Sequence, residues 1–464
     1  MKKNIKNHSF DSTILREYDI RGILDKTLFS LDAYAIGLSF GTIVKKKNGS
    51  SIAVAYDGRH SSPLLHEALI DGLTDTGIDV ITVGLGPTPM LYFAVHYLDL
   101  DGGIMITGSH NPPNYNGFKF MIGKKGFFGN DIQNLGKISK EGDYLKGNGK
   151  LYQNKIQEKY INRLLRDITI PNSMSVAWDP GNGATGEVVS NLTKILPGKH
   201  YLINNEIDGS FPNHHPDPTI EKNLKQLKDV VLENNCDLGI AFDGDGDRIG
   251  VLDSKGRTIF GDQLLAILAR DVLHQFPGAT IIGDVKCSNI LFNEVKRLGG
   301  FPIMSAAGHS LIKAKMIETK ALLAGEMSAH IFFSDKYYGF DDAIYAGLRT
   351  IQTMNTQSQS IDNLYDSLPK MFNTPEIRID CPEDKKFSLV QQIRQNLADE
   401  DFDISDIDGV RVTNEDGWWL LRASNTQAAI TIRCESFNQK GLESLKKQVK
   451  NQLILNNVDI SELF

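Results

Sequence analysis

An apolar strand that closes on an aspartate and leads into a helix-like pattern occurs three times along this 464-residue chain. These strands are predicted at residues 52–57, 174–179 and 280–284. The helix after the first strand begins at Ser61-Ser62-Pro63, where serine can cap free N–H groups and proline suits the first turn. The pattern predicts strand–helix units.

A second apolar strand follows each of these units and ends in a polar loop, at residues 103–112, 238–248 and 321–330. The spacing of about 110 residues predicts three related α/β domains in series. Open α/β sheets bind ligands where their strands end, so the polar loops are candidate sites. A chance succession of ordinary strand–helix units is the alternative interpretation.

The pattern changes after residue 368. Helices predicted at 387–397 and 442–453 flank a strand-rich stretch at 409–434, which indicates a smaller α+β domain. The Gly- and Lys-rich stretch 123–150 is predicted to be a loop before the first domain junction. The predicted fold class is therefore α/β with a C-terminal α+β domain, and the predicted domains are 1–153, 154–257, 258–368 and 369–464.

The amino-acid composition limits the classes of protein to which this chain can belong. Apolar residues make up 41% and charged residues 23%, as in ordinary globular proteins, and no apolar run reaches the length of a membrane span. The N-terminus has no apolar secretory core, and the four cysteines form no CxxC pair, so we expect free thiols in the cytoplasm. The net charge is −7 without a long basic block, so we expect neither nucleic acid nor membrane as a partner.

The segment Asp243-Gly-Asp245-Gly-Asp247-Arg248 carries the strongest chemical signal. Three carboxylates that converge repel one another, and a hard divalent cation with oxygen ligands offsets this repulsion. An EF-hand is excluded, because its sixth position is glycine and its twelfth is glutamate, whereas this chain has Arg248 and Ser254. An acidic surface turn is the alternative, although the flanking strands place the acids at a strand end.

Ser109 lies in the exposed-turn pattern Thr107-Gly-Ser-His-Asn-Pro112, and the chain then returns Lys119 towards the same place. A serine hydrolase is excluded, because the chain has no GxSxG elbow around this serine. A plain turn serine is the alternative.

Two later loops have binding chemistry. Glu326, Ser328 and His330 alternate after a strand, which suits ligands rich in hydroxyl groups, although a plain polar loop is the alternative. The segment Arg422-Ala-Ser-Asn-Thr426 gathers a guanidinium, two hydroxyls and an amide, which can bind phosphate or form a hairpin turn.

In the order of these motifs, the chain resembles the α-D-phosphohexomutase family. The chain has TGSHNP, DGDGDR, GEMSxH and RASNT in sequence across about 320 residues, and further matching stretches at 16–22, 284–288 and 308–310. The resemblance is closest to the bacterial phosphomannomutase/phosphoglucomutase branch. It implies four domains around one central cleft, a monomer, and phosphoryl transfer between the 1- and 6-positions of a hexose phosphate through a hexose 1,6-bisphosphate.

The resemblance also implies residue roles. Ser109 is the expected phosphoryl carrier, and Asp243, Asp245 and Asp247 are expected to hold Mg²⁺ with the phosphate on Ser109. Glucose 1,6-bisphosphate is the expected activator. The reacting end is expected to contain Arg21, Lys119, Arg248 and His330, with Tyr18, His110, Lys286 and His309 nearby. Sugar hydroxyls are expected to bind Glu326 and Ser328, and the non-reacting phosphate is expected to bind Arg422, Ser424, Asn425 and Thr426.

Two departures from the family pattern stand out. Ala329 replaces the usual glycine, and its methyl group is expected to crowd the sugar loop without abolishing binding. Residues 427–429 replace the Glu-Pro or Thr-Pro that often follows the RASNT motif.

Two alternatives stay open. One is a phosphoglucosamine mutase, whose branch tends to carry TASHNP, GEQSGH and RxSGTE where this chain has Gly108, Met327 and Asn425. The other is a catalytically silent phosphosugar-binding protein on the same fold.

Overall fold

The computed structural model of the protein describes residues 5–397, 402–424 and 428–458, whose strands form four β-sheets. Three sheets contain parallel strands, and the fourth is wholly antiparallel. The predicted fold class, three similar α/β units followed by a smaller α+β unit, is confirmed.

The first sheet has the strand order β1-β5-β4-β2-β3-β7, with β6 paired to β5. Its strands are β1 (Ile20–Ile23), β2 (Ser51–Tyr56), β3 (Asp79–Leu85), β4 (Gly102–Ile106), β5 (Tyr115–Ile122), β6 (Lys125–Gly126) and β7 (Leu151–Gln153). Its helices are α1 (Ser30–Lys46), α2 (Ser62–Asp75), α3 (Thr88–Tyr97) and α4 (Asn130–Glu141).

Helix α4 contradicts the prediction of a loop over residues 123–150. The helix buries Ile132, Leu135 and Ile138, which are spaced three residues apart. This face packs into the first core, and the helix ends at Gly142 in the left-handed region, where a residue without Cβ is favoured. The abundance of Gly and Lys around this apolar face concealed the helix.

The second sheet has the order β12-β11-β10-β8-β9, and the third has the order β14-β13-β15-β16. The second unit contains α5 (Gln157–Leu165), β8 (Ser175–Asp179), α6 (Gly186–Thr193), β9 (Lys199–Leu202), α7 (Lys225–Glu233), β10 (Leu238–Phe242), β11 (Ile249–Asp253) and β12 (Thr258–Ile259). The third contains α8 (Gly261–Gln275), β13 (Thr280–Asp284), α9 (Asn289–Arg297), β14 (Phe301–Ser305), α10 (His309–Thr319), β15 (Leu323–Gly325), β16 (Ile331–Phe333), α11 (Ala343–Gln357) and α12 (Ile361–Asp366). Strand β12 pairs with β11, so the second sheet extends past residue 257 to Ile259.

The two strands that repeat in the sequence are neighbours in each of these three sheets. The parallel pairs are β2 with β4, β8 with β10, and β13 with β15. Each second strand is followed by a strand that returns antiparallel beside it, namely β5, β11 and β16. The loop at that reversal therefore occupies the same edge in every unit, which is where the Ser109, Asp243 and Glu326 motifs lie.

The fourth unit is an antiparallel sheet with two helices. Its elements are β17 (Phe372–Asn373), β18 (Ile377–Asp380), α13 (Lys386–Asn396), β19 (Asp403–Ser405), β20 (Val410–Asn414), β21 (Gly417–Ala423), β22 (Ala429–Ser436) and α14 (Gln439–Leu455). Ile393 and Leu397 are buried as their spacing predicts, whereas Phe387 is 56% exposed and lies outside the core.

Helix α2 begins at Ser62, as predicted, but the predicted serine cap is wrong. No side-chain hydrogen bond caps this helix at Ser61. The hydroxyl of Ser62 instead donates to Oδ1 of Asp57, at 2.6 Å. Oγ of Ser61, which stands at the N-cap position, accepts from Nδ2 of Asn116 at 2.8 Å.

One continuous apolar core joins the first three units. It includes Leu91 and Phe93 of the first unit, Trp178 of the second, and Leu265 and Tyr345 of the third, all of them buried. Because this core is shared, the loops at the sheet edges are held in fixed positions relative to one another. Within the described residues, no helix combines the length and the apolar character that crossing a membrane requires.

Candidate active site

Ser109 lies in the loop between β4 and β5, with its side chain directed at the second unit. Its backbone has φ of 49°, in the left-handed region that non-glycine residues rarely adopt, and the residue is 2% exposed. The backbone N–H of Ser109 donates to Oγ1 of Thr107 at 2.8 Å. Strained backbone of this kind persists where the surroundings enforce it.

Arg59 helps to hold Ser109 in this backbone conformation. No prediction from the sequence singled out Arg59. Its guanidinium donates to four backbone carbonyls of the serine loop and the start of β5, at 2.6–3.0 Å: those of Ser109, Asn111, Pro112 and Tyr115. Asp57 accepts from Nε of Arg59 at 3.1 Å. The signal was present in the sequence, because Arg59 stands two residues after the aspartate that closes β2.

Asp243, Asp245 and Asp247 form a compact acidic cluster after β10. Their carboxylate oxygens lie within 4.8 Å of one another, and all three residues are fully buried. Oδ1 of Asp243 accepts backbone N–H groups from Gly246 and Asp247, at 2.9 and 3.1 Å. Burial, together with the two neighbouring carboxylates, raises the pKa of Asp243 well above its usual value.

This cluster suits a cation. Oδ1 of Asp245 and Oδ1 of Asp247 are buried without a hydrogen-bond partner among the described residues, a costly arrangement for carboxylates. Their Oδ2 atoms accept from Nζ of Lys119 at 2.7 and 2.5 Å. Burial alone would lower the pKa of Lys119, but the two carboxylates raise it well above its usual value, so Lys119 is a cation. An all-oxygen donor set favours Mg²⁺ or Ca²⁺ over softer metals.

Ser109 and the acidic cluster meet directly. The hydroxyl of Ser109 donates to Oδ2 of Asp243 at 3.0 Å and lies 3.1 Å from Nδ1 of His110. Burial and the nearby Arg248 and Arg21 hold the pKa of His110 well below its usual value. The serine loop of one unit therefore contacts the carboxylates of the next.

The third unit contributes two loops and the start of α10. Glu326 follows β15, and its Oε1 accepts from the backbone N–H of Gly308 at 2.7 Å, which ties the Glu326 loop to the start of α10. Lys286 follows β13, with Nζ 3.6 Å from Oε2 of Glu376 and 3.7 Å from Oδ2 of Asp284. Burial opposes the charge on Lys286, but these two carboxylates raise its pKa above the usual value.

The fourth unit contributes the end of β21. Nε of Arg422 donates to Oδ2 of Asp408 at 3.0 Å, and the backbone carbonyl of Ser424 accepts from Nζ of Lys386 at 2.6 Å. The predicted phosphate-binding residues Asn425 and Thr426 lie outside the described residues. Within the described part of this loop, Arg422 and Ser424 line the same cavity as residues of the other three units.

A cavity of about 240 Å³ lies where these loops converge. The predicted residues that line it are Tyr18, Arg21, Ser109, His110, Lys119, Arg248, Lys286, His309, Glu326, Ser328, His330, Arg422 and Ser424. The three aspartates lie behind Ser109, in contact with Lys119.

Several residues of the cavity wall were not singled out by sequence reasoning: Arg16, Asp19, Asn111, Glu376, Arg378 and Thr431. Burial opposes the charge of Glu376, but Lys286 and Arg378 lower its pKa to about 2, so it is ionised. Asn111 and Asp19 both accept from the guanidinium of Arg21. Glu376 precedes β18 in a segment without a recognisable motif, so no sequence pattern singled it out.

Fold and site together define a class: proteins of three α/β units and one α+β unit in which a serine and a basic loop line one cavity, with a carboxylate cluster behind the serine. The family models for the phosphoglucomutase/phosphomannomutase α/β/α domains I, II and III match residues 12–144, 151–256 and 260–372, and the model for the C-terminal domain matches residues 376–452. The chain belongs to the phosphoglucomutase/phosphomannomutase family.

Relatives of full length support this membership. The chain is 41% identical over 448 residues to a phosphomannomutase/phosphoglucomutase of Pseudomonas aeruginosa, which covers 97% of each chain. It is 40% identical to a phosphoglucomutase of Neisseria gonorrhoeae, over 95% of this chain and 97% of that one. The crystal structure of a phosphoglucomutase/phosphomannomutase family protein from Burkholderia thailandensis superposes with a TM-score of 0.91 at 38% identity, over 97% of this chain and 98% of that one.

Proposed function

We propose that this protein moves a phosphoryl group reversibly between the 1- and 6-positions of mannose or glucose phosphates, with Ser109 as the phosphoryl carrier. The observation that carries the proposal is the placement of Ser109. Its hydroxyl lies 3.0 Å from Asp243, inside a cavity whose wall also contains Arg422 and Ser424 of a different unit. One end of the cavity therefore has a nucleophile beside acids, and a separate loop has a guanidinium that suits a second phosphate.

Asp243, Asp245 and Asp247, with an oxygen of phosphorylated Ser109, are the proposed ligands of Mg²⁺. The unpartnered Oδ1 atoms of Asp245 and Asp247 support this assignment. Mg²⁺ in this position supplies positive charge to the oxygens of the transferring phosphoryl group. Lys119, which contacts the same carboxylates, is proposed to add a second positive charge at that end.

The protein's own residues are proposed to bind and orient the sugar phosphate. Glu326 and Ser328 hold sugar hydroxyls, while Arg422, Ser424, Asn425 and Thr426 hold the phosphate that does not react. Arg21, Arg248 and His330 surround the reacting phosphoryl group, with Tyr18, His110, Lys286 and His309 beside them. Phosphoryl transfer depends on in-line placement and charge neutralisation, which such a constellation provides.

Turnover requires one reorientation. Phosphoserine donates its phosphoryl group to the free hydroxyl of a hexose monophosphate, which leaves the serine hydroxyl and a hexose 1,6-bisphosphate. This bisphosphate turns around, so that its other phosphate meets Ser109 and is returned to it. Glucose 1,6-bisphosphate is the proposed activator, because it phosphorylates Ser109 by the same step. The loop at Arg422 therefore accepts either phosphate.

The proposal includes a cytoplasmic monomer with domains 1–153, 154–259, 260–368 and 369–464. The second boundary follows β12, which belongs to the second sheet. Free, buried cysteines at all four positions are compatible with a reducing compartment. Light scattering measures the molar mass of the purified protein and so tests whether it is a monomer.

The decisive assay incubates the purified protein with glucose 1-phosphate or mannose 1-phosphate, Mg²⁺ and a trace of glucose 1,6-bisphosphate. We expect the 6-phosphates to form, loss of turnover on chelation of Mg²⁺, and a phosphopeptide that contains Ser109. The Ser109→Ala variant should lose nearly all turnover, whereas Ser210→Ala, on an exposed loop, should retain it.

Full activity of the Ser109→Ala variant would remove Ser109 from its role. A parallel reaction with glucosamine 6-phosphate separates the sugars: conversion of this substrate alone would overturn the mannose and glucose assignment. A protein that binds hexose phosphates without converting any of them would overturn the proposed activity.

A further inference from the structure

Asp341 is a fully buried carboxylate between β16 and α11, and three cationic or imidazole side chains surround it. Its Oδ1 accepts from Nζ of Lys313 at 3.0 Å. Its Oδ2 lies 3.1 Å from Nδ1 of His309 and 3.1 Å from Nδ1 of His330. Both histidines line the cavity, whereas Asp341 lies behind them.

The neighbours of His330 determine which of its nitrogens carries the proton. Nε of Arg248 lies 2.9 Å from Nε2 of His330, and a guanidinium can only donate. Nε2 of His330 is therefore the acceptor, and the proton of the neutral ring is on Nδ1, which faces Asp341. Among the described residues, Nδ1 of His330 lies 3.1 Å from Oδ2 of Asp341 and 3.6 Å from Oδ1 of Asp247, so Asp341 is the nearer carboxylate, although neither makes a well-aligned hydrogen bond to it.

His309 is oriented by the same carboxylate. Its ring lies nearly parallel to that of His330, with ring centroids 5.4 Å apart and an interplanar angle of 19°. Both Nδ1 atoms lie 3.1 Å from the same oxygen of Asp341, so the two Nε2 atoms lie on the far side of their rings. A single carboxylate thus fixes the rotation of two rings in the cavity wall.

We propose that Asp341 is a positioning residue that fixes the rings of His309 and His330 and, through His330, the guanidinium of Arg248. This inference rests on the proposed mutase activity. It assigns to the reacting end a residue outside the recognised motif, since Asp341 stands eleven positions after His330 in the chain. Asp341 does not touch the cavity itself, so its effect on the reaction passes through the side chains that it holds.

A metal ion is the rival explanation for this cluster. Asp247, His309 and Asp341 offer atoms within 4.8 Å of one another. However, the ammonium group of Lys313 already contacts Oδ1 of Asp341 and lies 4.5 Å from the centroid of the Tyr92 ring. A fixed cation at the carboxylate favours a hydrogen-bonded network over a second metal site.

The test compares Asp341→Asn with Asp342→Asn. Asp342 is the adjacent carboxylate, equally buried, and it accepts from the hydroxyls of Tyr160 and Tyr337 at 2.8 and 2.9 Å without lining the cavity. With Mg²⁺ and glucose 1-phosphate, we expect kcat of Asp341→Asn to fall about 10- to 100-fold, the range for loss of an orienting partner, with KM changed less than about threefold. We expect Asp342→Asn to keep kcat. Equal kcat losses in the two variants would overturn the proposal.

A second comparison asks whether Asp341 acts through His330. In a His330→Ala background, Asp341→Asn should lower kcat by much less than in the wild type, because the ring that it positions is gone. Equal losses in both backgrounds would overturn the proposal. If wild-type protein shows no mutase activity, the proposed function fails instead.

One measurement needs no variant of Asp341. In wild-type protein labelled with ¹⁵N-histidine, and assigned with His330→Ala, the resonances of His330 should show a proton on Nδ1. A proton on Nε2 would overturn the proposal even if Asp341→Asn does not fold.

Discussion

The hydroxyl of Ser109 donates to Oδ2 of Asp243 across 3.0 Å, although 134 residues separate them in the chain. A phosphoryl group on Ser109 cannot donate this hydrogen bond, and it adds about two negative charges beside three carboxylates. A cation beside Asp243 should therefore stabilise the phosphorylated protein more than the unmodified protein.

The first prediction follows from that difference. Mg²⁺ should raise the Tm of protein that has been phosphorylated with glucose 1,6-bisphosphate by several degrees, because the ion relieves the repulsion of the phosphate. It should raise the Tm of unmodified protein by less. Thermal scans with Mg²⁺ or with chelator provide the measurement. Ser109→Ala, treated with the same bisphosphate, is the control, and its Tm should respond to Mg²⁺ like that of the unmodified protein.

An equal effect of Mg²⁺ on the phosphorylated and unmodified wild type would contradict this account of the acidic cluster.

The second prediction concerns Arg59, whose guanidinium binds four carbonyls of the serine loop and the start of β5. Arg59→Lys keeps the charge but cannot make this forked contact, so Ser109 should lose its fixed position. We expect kcat to fall about 10- to 100-fold, because small displacements of a reacting group are costly. Arg297→Lys is the control, since its side chain is 63% exposed and should leave kcat unchanged.

Gly108 provides an independent check of the same contact. A Cβ at this position would lie 2.5 Å from the guanidinium of Arg59, so Gly108→Ala should displace Arg59 and lower kcat as well. Combination of Gly108→Ala with Arg59→Lys should then cost little more than either change alone. Additive losses would show that the two residues act separately.

The positions of the repeated strands could be predicted from the sequence, because their apolar runs are uninterrupted. The three strand–helix units and the change of class after residue 368 follow from local periodicity, which reflects burial of one face. Helix α4 did not follow, because its apolar positions lie among glycines and lysines that local propensity assigns to loops. The second sheet's extension to Ile259 depends on pairing with β11, which is a contact between strands rather than a local pattern.

The residues of the candidate site also fall into two groups: those that a sequence motif marks, and those that only the tertiary structure reveals. Ser109, the three aspartates and Glu326 lie in motifs at strand ends, and the cavity includes Ser109 and Glu326 with the aspartates behind them. Asp341 and Glu376 act through tertiary contacts, mostly with partners 20 or more residues away, and no motif marks them. Arg59 is marked only by its place two residues after the aspartate that follows β2. Sequence patterns identify groups that meet a ligand, whereas the groups that hold them become visible only in the packed structure.

The third prediction concerns Ala329, which stands where the family usually has glycine. Its backbone has φ of 68°, a conformation that costs an L-residue about 1–2 kcal/mol, so Ala329 carries backbone strain that glycine would not. Ala329→Gly should therefore raise the stability of the third unit by up to about 1 kcal/mol, because the flexibility of glycine in the unfolded chain offsets part of the gain.

Calorimetry provides the measurement, and Ala346→Gly within α11 is the matched control, which should lower Tm because glycine weakens a helix interior by about 1 kcal/mol. A lower Tm for Ala329→Gly would mean that the methyl group contributes more through packing than the strain costs.

The fourth prediction concerns the pH dependence of stability at His66, in α2. Burial lowers the pKa of His66 from 6.5 to about 4, and Nε2 of His66 lies 2.9 Å from Oγ1 of Thr82. Between about pH 4 and pH 6.5 the unfolded chain thus binds a proton at His66 that the folded chain does not bind. Stability rises with pH in this window, and the contribution of neutral His66 is lost as the pH falls below 6.5. The whole effect is at most about 3 kcal/mol.

His66→Gln removes the titrating group and keeps an amide that can reach Thr82. Because other groups titrate equally in both proteins, the difference in Tm between wild type and variant isolates His66. We expect the Tm of the wild type, relative to that of His66→Gln, to decrease from pH 7 to pH 4.5. His274→Gln, on an exposed part of α8, is the matched control variant and should show no such trend. A constant difference between wild type and His66→Gln across this range would mean that His66 stays accessible to protons in the folded protein.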